Sequence, residues 1–178
     1  MTDEALPPGE WRAYAEAGDA AVDAVGALES LRHRAWTLGI AESLTGGMLA
    51  AALIAVPGAS ATVVGGIVAY ATPLKHSLLG VDGALLAEHG AVHPEVARQM
   101  AEGVRRAVAV EGRGADVGIS TTGIAGPDSP DGQPVGTVHI GVSTPTESRV
   151  LSLRLEGDRG AIRAETVRYA LRALLTSV

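Results

Sequence analysis

The sequence predicts a three-layer α/β/α sandwich built around a mixed, mostly parallel β-sheet. The main reason is the order of its segments, in which apolar runs alternate with helix-periodic stretches as β-α-β-α-β-β-β-α behind one leading helix. A short polar link at 144–147 joins the last two strands and indicates a hairpin. The length of 178 residues suits one domain with a sizeable core, which we assign to 11–178 after a loose lead-in at 1–10.

The first half of the domain is predicted to contain two strands and four helices. The leading helix follows from apolar residues at helical spacing, although Gly18 and Gly26 each weaken it by about 1 kcal/mol relative to Ala. Thr72 is the expected N-cap of a short helix, with Pro73 at its first position. The predicted elements are helix 11–33, strand 35–41, helix 46–56, strand 66–70 and helices 74–79 and 83–89.

The second half is predicted to contain one long helix, three strands and a closing helix. Val96, Met100 and Val104 repeat at helical spacing and define one face of the long helix. The loop at 123–134 is long and rich in Gly, Pro and Asp, which is typical of functional loops in compact domains. The predicted elements are helix 93–110, strands 115–122, 136–143 and 149–155, and a last helix that Asp158 caps and that runs to about residue 176.

The composition excludes several classes of function. Hydrophobic residues make up 47% of the chain, yet Phe is absent, so the core must consist of Ala, Val, Leu and Ile. A net charge of −6 without a Lys/Arg run argues against nucleic-acid binding. The lack of cysteine excludes disulfides, thiolate–metal sites and a cysteine nucleophile. The acidic N-terminus is no signal peptide and no apolar run could span a bilayer, so we expect a cytoplasmic protein without a membrane partner.

The polar turn at 42–47 lies between the first predicted strand and the helix that follows it. Such a turn brings backbone N–H groups and the positive end of a helix to one point, where they can hold an anion or a developing oxyanion. Ser43 and Thr45 stand at that point, and two glycines let a ligand approach the backbone closely. The alternative interpretation is that either hydroxyl only caps the helix.

Four polar side chains are predicted to converge at one edge of the sheet. Ligands of open α/β sheets bind outside the carboxyl ends of the strands. Ser43 follows the first strand, Tyr70 ends the second with Lys75 about one helical turn beyond, and Thr122 ends the third. If these three strands run parallel, the four residues share a rim.

This set of residues suits nucleophilic catalysis. A serine needs a base to become a nucleophile, and no Ser-His-Asp set suggests itself in this chain. A lysine can act as that base if partial burial lowers its pKa so that the neutral amine is present. Lys75 is a lone lysine beside an apolar segment, although the alternative is an exposed cation at the end of a helix. The hydroxyl of Tyr70 could carry the proton or orient the amine.

Seven segments of the sequence resemble the CinA C-terminal family, in the same order and at similar spacing. Each segment is short, but seven in register are specific, and the resemblance covers residues from about 28 to the end. They are AESLTGG at 41–47, VPGAS at 56–60, GGIVAY at 65–70, LGV at 79–81, HGAV at 89–92, TGIAGP at 122–127 and PVGTV at 134–138.

The resemblance implies a CinA C-terminal-like α/β/α fold and hydrolysis of the carboxamide of nicotinamide mononucleotide. The products would be nicotinate mononucleotide and ammonia, formed without metal or cofactor by a Ser/Lys dyad. The family's lysine corresponds to Lys75 and its tyrosine to Tyr70, while Ser43 and Ser60 both remain as candidate nucleophiles. We favour Ser43 because of its position at the helix start. The resemblance further implies a stand-alone form, without the N-terminal domain of larger members, that forms a homodimer or higher homo-oligomer.

The resemblance also assigns residues to the nucleotide. Arg159, or the amides of 45–47 in the first turn, would hold the phosphate. Glu42 could orient Lys75 or Ser43, or it could equally pair with a backbone N–H. Thr72 stands where the family has an asparagine and can make only part of its hydrogen bonds to the substrate amide. The predicted substrate-binding residues are Glu42, Thr45, Gly46, Gly47, Thr72, Thr122, Gly123 and Arg159.

Two other functions stay open at this point. Ala71 and Thr72 replace a Ser-Asn pair of the family, which favours a non-catalytic nucleotide-binding or regulatory module as the alternative. The family's name alone suggests a competence-related partner protein. His89 and His93 are spaced like a metal-binding pair, but Gly90 and Pro94 interrupt the helix face that they would share, so no metal site is predicted.

Overall fold

The computed structural model describes residues 19–129 and 132–178. The predicted lead-in at 1–10 and the first part of the leading helix lie outside these residues. In chain order the elements are α1 (Ala20–His33), β1 (Leu38–Glu42), α2 (Met48–Ile54), a 3₁₀ turn (Ala59–Ala61), β2 (Val63–Val68), α3 (Thr72–Leu79), α4 (Gly83–His89), α5 (Pro94–Ala107), β3 (Val117–Gly123), β4 (Thr137–Ser143), β5 (Ser148–Arg154) and α6 (Arg159–Ser177).

The five strands form one mixed sheet in the order β2-β1-β3-β4-β5. Strand β1 pairs parallel with both β2 and β3, whereas β4 pairs antiparallel with β3 and β5. Four of the five strands therefore point the same way, and the predicted hairpin between the last two strands is confirmed. The carboxyl ends of β1, β2 and β3 lie at one edge of the sheet, as the convergence of the predicted site residues requires.

Helices cover both faces of the sheet, which confirms the predicted three-layer sandwich. On one face α1, α2 and α6 enclose the larger apolar cluster, which includes Leu31, Leu49 and Leu174. On the other face α3, α4 and α5 enclose a smaller cluster around Met100. Neighbouring residues of β1 alternate between the two clusters because successive side chains of a strand point to opposite faces. No helix in the described part of the chain is long and apolar enough to cross a membrane.

Two predicted boundaries were wrong near the second strand. Strand β2 begins and ends earlier than predicted, because its pairing with β1 stops where Glu42 lies opposite Val68. Tyr70 therefore lies beyond the strand instead of at its end. The N-cap of α3 is Ala71, and Thr72 is its first helical residue, with the proline directly after it. Strand β2 is also an edge strand, paired on one side only.

Close packing between α3 and α5 depends on Gly103. A Cβ atom built at this position would lie 1.8 Å from the carbonyl oxygen of Leu79, so the two helices could not keep their present separation. In an exposed helix, Gly→Ala stabilises by about 1 kcal/mol. Here we expect Gly103→Ala to destabilise the protein by about 2 to 3 kcal/mol, because the clash involves backbone and cannot relax by a rotamer change.

Urea unfolding checks this expectation. The matched control is Gly83→Ala at the start of α4, where the added Cβ would meet the His76 ring at an ordinary 3.8 Å. The control should stay within about 1 kcal/mol of the parent protein. Equal stability of the two variants would contradict the packing argument.

Candidate active site

Three parallel strands deliver the central side chains of the site. Ser43 directly follows β1. Thr122 is the next-to-last residue of β3 and pairs with His139 of β4. The chain leaves β2 through Ala69 and Tyr70 and then enters α3, which carries Lys75. A hydrogen bond from the Ser43 amide to the Thr121 carbonyl, 3.0 Å long, extends the pairing of β1 and β3 to the start of the turn. The predicted convergence is therefore found at the carboxyl edge.

The amine of Lys75 contacts the hydroxyl of Ser43. The Nζ–Oγ distance is 3.1 Å, and Nζ also donates a hydrogen bond of 2.8 Å to the carbonyl oxygen of Ala69. The side chain of Lys75 is fully buried and Ser43 is only 8% exposed. A serine oxygen and a lysine nitrogen thus lie within proton-transfer distance in a water-poor part of the protein.

The sequence of α3 explains why this lysine is buried. Lys75 and Leu79 are four residues apart and form the buried side of the helix, whereas the residues between them are exposed. The aliphatic stem of Lys75 lies along this inner side, and the carbonyl at the end of β2 gives its nitrogen a polar partner. Lys75 is also the only lysine in the sequence.

The carboxylate of Glu42 occupies the start of α2. It is 1% exposed and accepts hydrogen bonds from the backbone N–H groups of Gly47 (2.9 Å), Leu49 (3.1 Å) and Ala50 (2.8 Å). The Gly46 amide is also used, since it donates to the Ser43 carbonyl at 3.2 Å. The Gly46 and Gly47 amides therefore already have acceptors within the protein, and its own carboxylate satisfies this helix end. Of the two predicted phosphate ligands, these amides and Arg159, this arrangement favours Arg159.

Further contacts fix the turn that carries Ser43. The hydroxyls of Thr45 and Thr121 lie 2.7 Å apart in a fully buried pair, so Thr45 holds the turn to β3. From α6, the guanidinium of Arg163 donates to the carbonyl oxygens of Leu44 (2.9 Å) and Thr45 (3.0 Å). The turn is thus held at its amides by Glu42 and at its carbonyls by Arg163, which keeps the serine in place before a ligand binds.

The second predicted loop forms the opposite wall. The hydroxyl of Thr122 donates a 2.7 Å hydrogen bond to the Ala91 carbonyl. Arg159 donates to the Gly126 carbonyl (2.8 Å) and to the hydroxyl of Tyr70 (3.1 Å), so it joins this loop to the segment before α3. Tyr70 is 60% exposed and lies at the mouth of the site.

One cavity of about 220 Å³ connects these walls. Of the predicted site residues it is lined by Ser43, Tyr70, Thr72, Lys75, Thr122, Gly123 and Arg159, and its other lining residues are Leu44, Ala91, Val92, Ile124, Ala125, Gly126 and Asp128. Four predicted residues lie behind the wall instead of in it: Glu42, Thr45, Gly46 and Gly47. They belong to the turn that carries Ser43 and do not line the cavity themselves.

Ser60 lies away from Lys75. It is exposed on the 3₁₀ turn before β2, where it lines a separate apolar groove together with residues such as Ile54 and Val63. Strand β2 runs from this turn toward the Lys75 edge, so the two serines are at opposite ends of it. Within one chain, the geometry pairs Lys75 with Ser43.

Sequence reasoning missed two residues of the site. Arg163 follows Leu44 by 119 positions, and nothing in the spacing of the sequence links the two. Asp128 belongs to the predicted loop at 123–134 but was not among the predicted site residues, and it lines the cavity. The signal that could have found Asp128 is its place in the loop directly after β3, because such loops surround the ligand site of parallel sheets.

The comparisons with known proteins agree with this fold and these segments. The sequence profile of the CinA C-terminal domain matches residues 23–178. The chain belongs to the CinA C-terminal domain family. Among the family's curated members, a CinA-like protein of Frankia casuarinae is 51% identical over 141 residues, and one of Gloeobacter violaceus is 50% identical over 141 residues. These alignments cover 79% and 78% of this chain but only 31% and 32% of those proteins, so the chain spans about a third of their length.

Solved structures of the CinA superfamily have the same fold. A superfamily protein of Klebsiella pneumoniae is 33% identical, with a TM-score of 0.82 over 90% of this chain and 98% of that one. One from Escherichia coli is 30% identical, with a TM-score of 0.83 over 90% of this chain and 91% of that one. Both of these structures are described as competence-damaged protein (CinA) superfamily members.

Proposed function

We propose that this protein is an amidohydrolase that converts nicotinamide mononucleotide into nicotinate mononucleotide and ammonia. The observation that carries the proposal is the buried pair of Ser43 and Lys75, 3.1 Å apart on the wall of a cavity that opens to solvent. Hydrolysis of an unactivated amide needs both a nucleophile and a group that can protonate the leaving amine. A serine beside a lysine can supply both.

In the first step the Ser43 hydroxyl attacks the carboxamide carbon while the neutral amine of Lys75 takes the hydroxyl proton. Burial favours the neutral amine, because a charged ammonium loses its hydration inside the protein. The tetrahedral intermediate then collapses, and the new ammonium of Lys75 gives its proton to the departing nitrogen. Ammonia leaves, and the nicotinoyl group remains on Ser43 as an ester.

Water completes the cycle through the open mouth of the cavity. Lys75 takes a proton from this water as the oxygen attacks the ester carbonyl, and it returns the proton to Ser43 as the ester bond breaks. The product is a carboxylate in place of the carboxamide. Lys75 thus alternates between base and acid, and Ser43 leaves the cycle unchanged.

The size and charge of the site support a mononucleotide. A cavity of about 220 Å³ suits the carboxamide ring and part of the ribose, and the phosphate then falls near the mouth. Arg159 lies there with two of its five N–H groups used in hydrogen bonds to Gly126 and Tyr70. The remaining donors can bind phosphate oxygens, so we keep Arg159 as the proposed phosphate ligand. Thr72, Thr122 and Gly123 are the proposed contacts of the ring and its amide.

A pair of serine variants tests the proposal. We expect Ser43→Ala to lower ammonia release from nicotinamide mononucleotide by about a hundredfold to a thousandfold, with some rate remaining because Lys75 can still activate a water. Ser60→Ala, the matched control, should stay within about twofold of the parent rate, since Ser60 lies at the other end of β2.

The opposite pattern, with loss in Ser60→Ala and full rate in Ser43→Ala, would overturn the assignment of the nucleophile. Folded parent protein that binds the nucleotide, as measured by calorimetry, but releases no ammonia would overturn the amidase itself. That second result would favour the non-catalytic nucleotide-binding module.

A further inference from the structure

Within the described ranges 19–129 and 132–178, one carboxylate lines the cavity. The charged residues of this described lining are Lys75, Arg159 and Asp128, so Asp128 is its acidic group. Among the described residues, Asp128 forms no ion pair that would satisfy it within the protein. Asp128 is exposed, so its negative charge lies at the rim of a cavity whose other charged groups in the described lining are basic.

The loop that carries Asp128 is anchored at its base. The Ile124 amide donates to the Thr137 carbonyl at 2.9 Å, and the Gly136 amide donates to the Ile124 carbonyl at 2.8 Å. Arg159 holds the Gly126 carbonyl two residues before Asp128. These bonds fix the start of the loop at 124–126, and Asp128 follows two residues later at the exposed rim of the cavity.

We propose that Asp128 is a specificity-determining residue that recognises the positive charge of the pyridinium ring. The inference rests on the proposed function and narrows its substrate class to N-ribosylated nicotinamides in the oxidised, cationic form. Such a ring carries a formal positive charge, which Arg159 repels and which a nearby carboxylate stabilises. The reduced dihydronicotinamide nucleotide has the same carboxamide, ribose and phosphate but a neutral ring, so Asp128 gives the site a means to discriminate between the two.

A carboxylate in this place could instead accept hydrogen bonds from the ribose hydroxyls. Both nucleotides carry the same ribose, so a ribose contact contributes equally to the binding of each. Only a contact with the ring charge distinguishes the oxidised from the reduced nucleotide. A comparison of the two ligands therefore separates the two roles of Asp128.

The experiment measures dissociation constants by calorimetry for oxidised and reduced nicotinamide mononucleotide, in the Ser43→Ala background, where the expected turnover is about a hundredfold to a thousandfold slower. Asp128→Asn keeps the size of the side chain and removes its charge. The matched control is Glu147→Gln, which removes one negative charge in the β4–β5 turn, at the opposite edge of the sheet.

We expect Asp128→Asn to weaken binding of the oxidised nucleotide about fivefold, as for a partly exposed charge pair, and to change binding of the reduced nucleotide less than twofold. The preference for the oxidised form should also shrink as salt is raised. The control should leave both affinities unchanged.

Equal weakening for both nucleotides would overturn the proposal in favour of a ribose contact, and no change for either would overturn it outright. Because binding is measured without hydrolysis, the result is independent of the amidase. A parent protein that binds the oxidised form selectively but releases no ammonia would refute only the proposed function, and one that binds neither nucleotide would refute both.

Discussion

We expect Lys75→Met to lower amide hydrolysis by about ten-thousandfold, the upper range for loss of a general acid–base group. The variant keeps a flexible apolar side chain in the buried space but leaves the Ser43 hydroxyl without the amine that lies 3.1 Å away. In the proposed mechanism, the proton removed from serine and the proton given to the departing amide nitrogen then both lack a carrier. The effect should appear mainly in kcat, because the amine acts on the reacting bonds more than on the bound nucleotide.

Ammonia release from nicotinamide mononucleotide is the measurement, with circular dichroism and thermal unfolding as checks of the fold. Arg106→Met is the matched control, since it removes an exposed cation from the outer side of α5 and should keep the parent rate. A Lys75→Met protein that is folded and within tenfold of the parent rate would contradict the Ser/Lys mechanism.

The second large effect concerns stability. We expect Glu42→Ala to lower the free energy of unfolding by about 4 kcal/mol, because three backbone N–H groups lose a charged acceptor inside the protein. Glu42→Gln should cost about 2 kcal/mol, since an amide can still accept from part of the set but also points an N–H₂ group at donors. The loss should appear in global unfolding, because this turn joins β1 to α2 in the larger apolar cluster.

Urea unfolding measures both variants, and Glu88→Ala is the control. The side chain of Glu88 is 75% exposed on α4, so its removal should change stability by less than about 0.5 kcal/mol. A loss below about 1 kcal/mol in Glu42→Ala would mean that the three hydrogen bonds are replaced by water at little cost. The turn would then be less tightly held than its geometry indicates.

Most of the fold follows from the spacing of apolar residues. The helices of the second half and the hairpin were predicted close to their observed bounds, because the alternation of polar and apolar residues there is clear. Strand β2 was misplaced, since 61–70 is apolar almost throughout and offers no internal boundary. Its ends are set by hydrogen bonds to β1, a tertiary contact that local sequence does not encode.

The candidate site was predictable where it depends on strand direction and not where it depends on packing. Ser43, Lys75 and Thr122 were expected together because parallel strands bring their carboxyl ends to one edge. The role of Glu42 was left open between orienting Ser43 or Lys75 and pairing with a backbone N–H, because the same turn pattern suits an external anion or an internal carboxylate equally well. Whether an external anion or the Glu42 carboxylate binds these N–H groups depends on the direction of the Glu42 side chain. The structure shows that it folds back over the start of α2.

The single lysine has a practical consequence for chemical probes. An amine reagent that modifies a side chain of this protein must reach Lys75, which lies on the buried side of α3. Apart from the terminal amine, the surface of the folded chain therefore has almost no amines. Its permanently charged surface cations are arginine guanidinium groups. The rate at which an amine reagent labels Lys75 therefore measures how often the cavity around this residue opens to solvent.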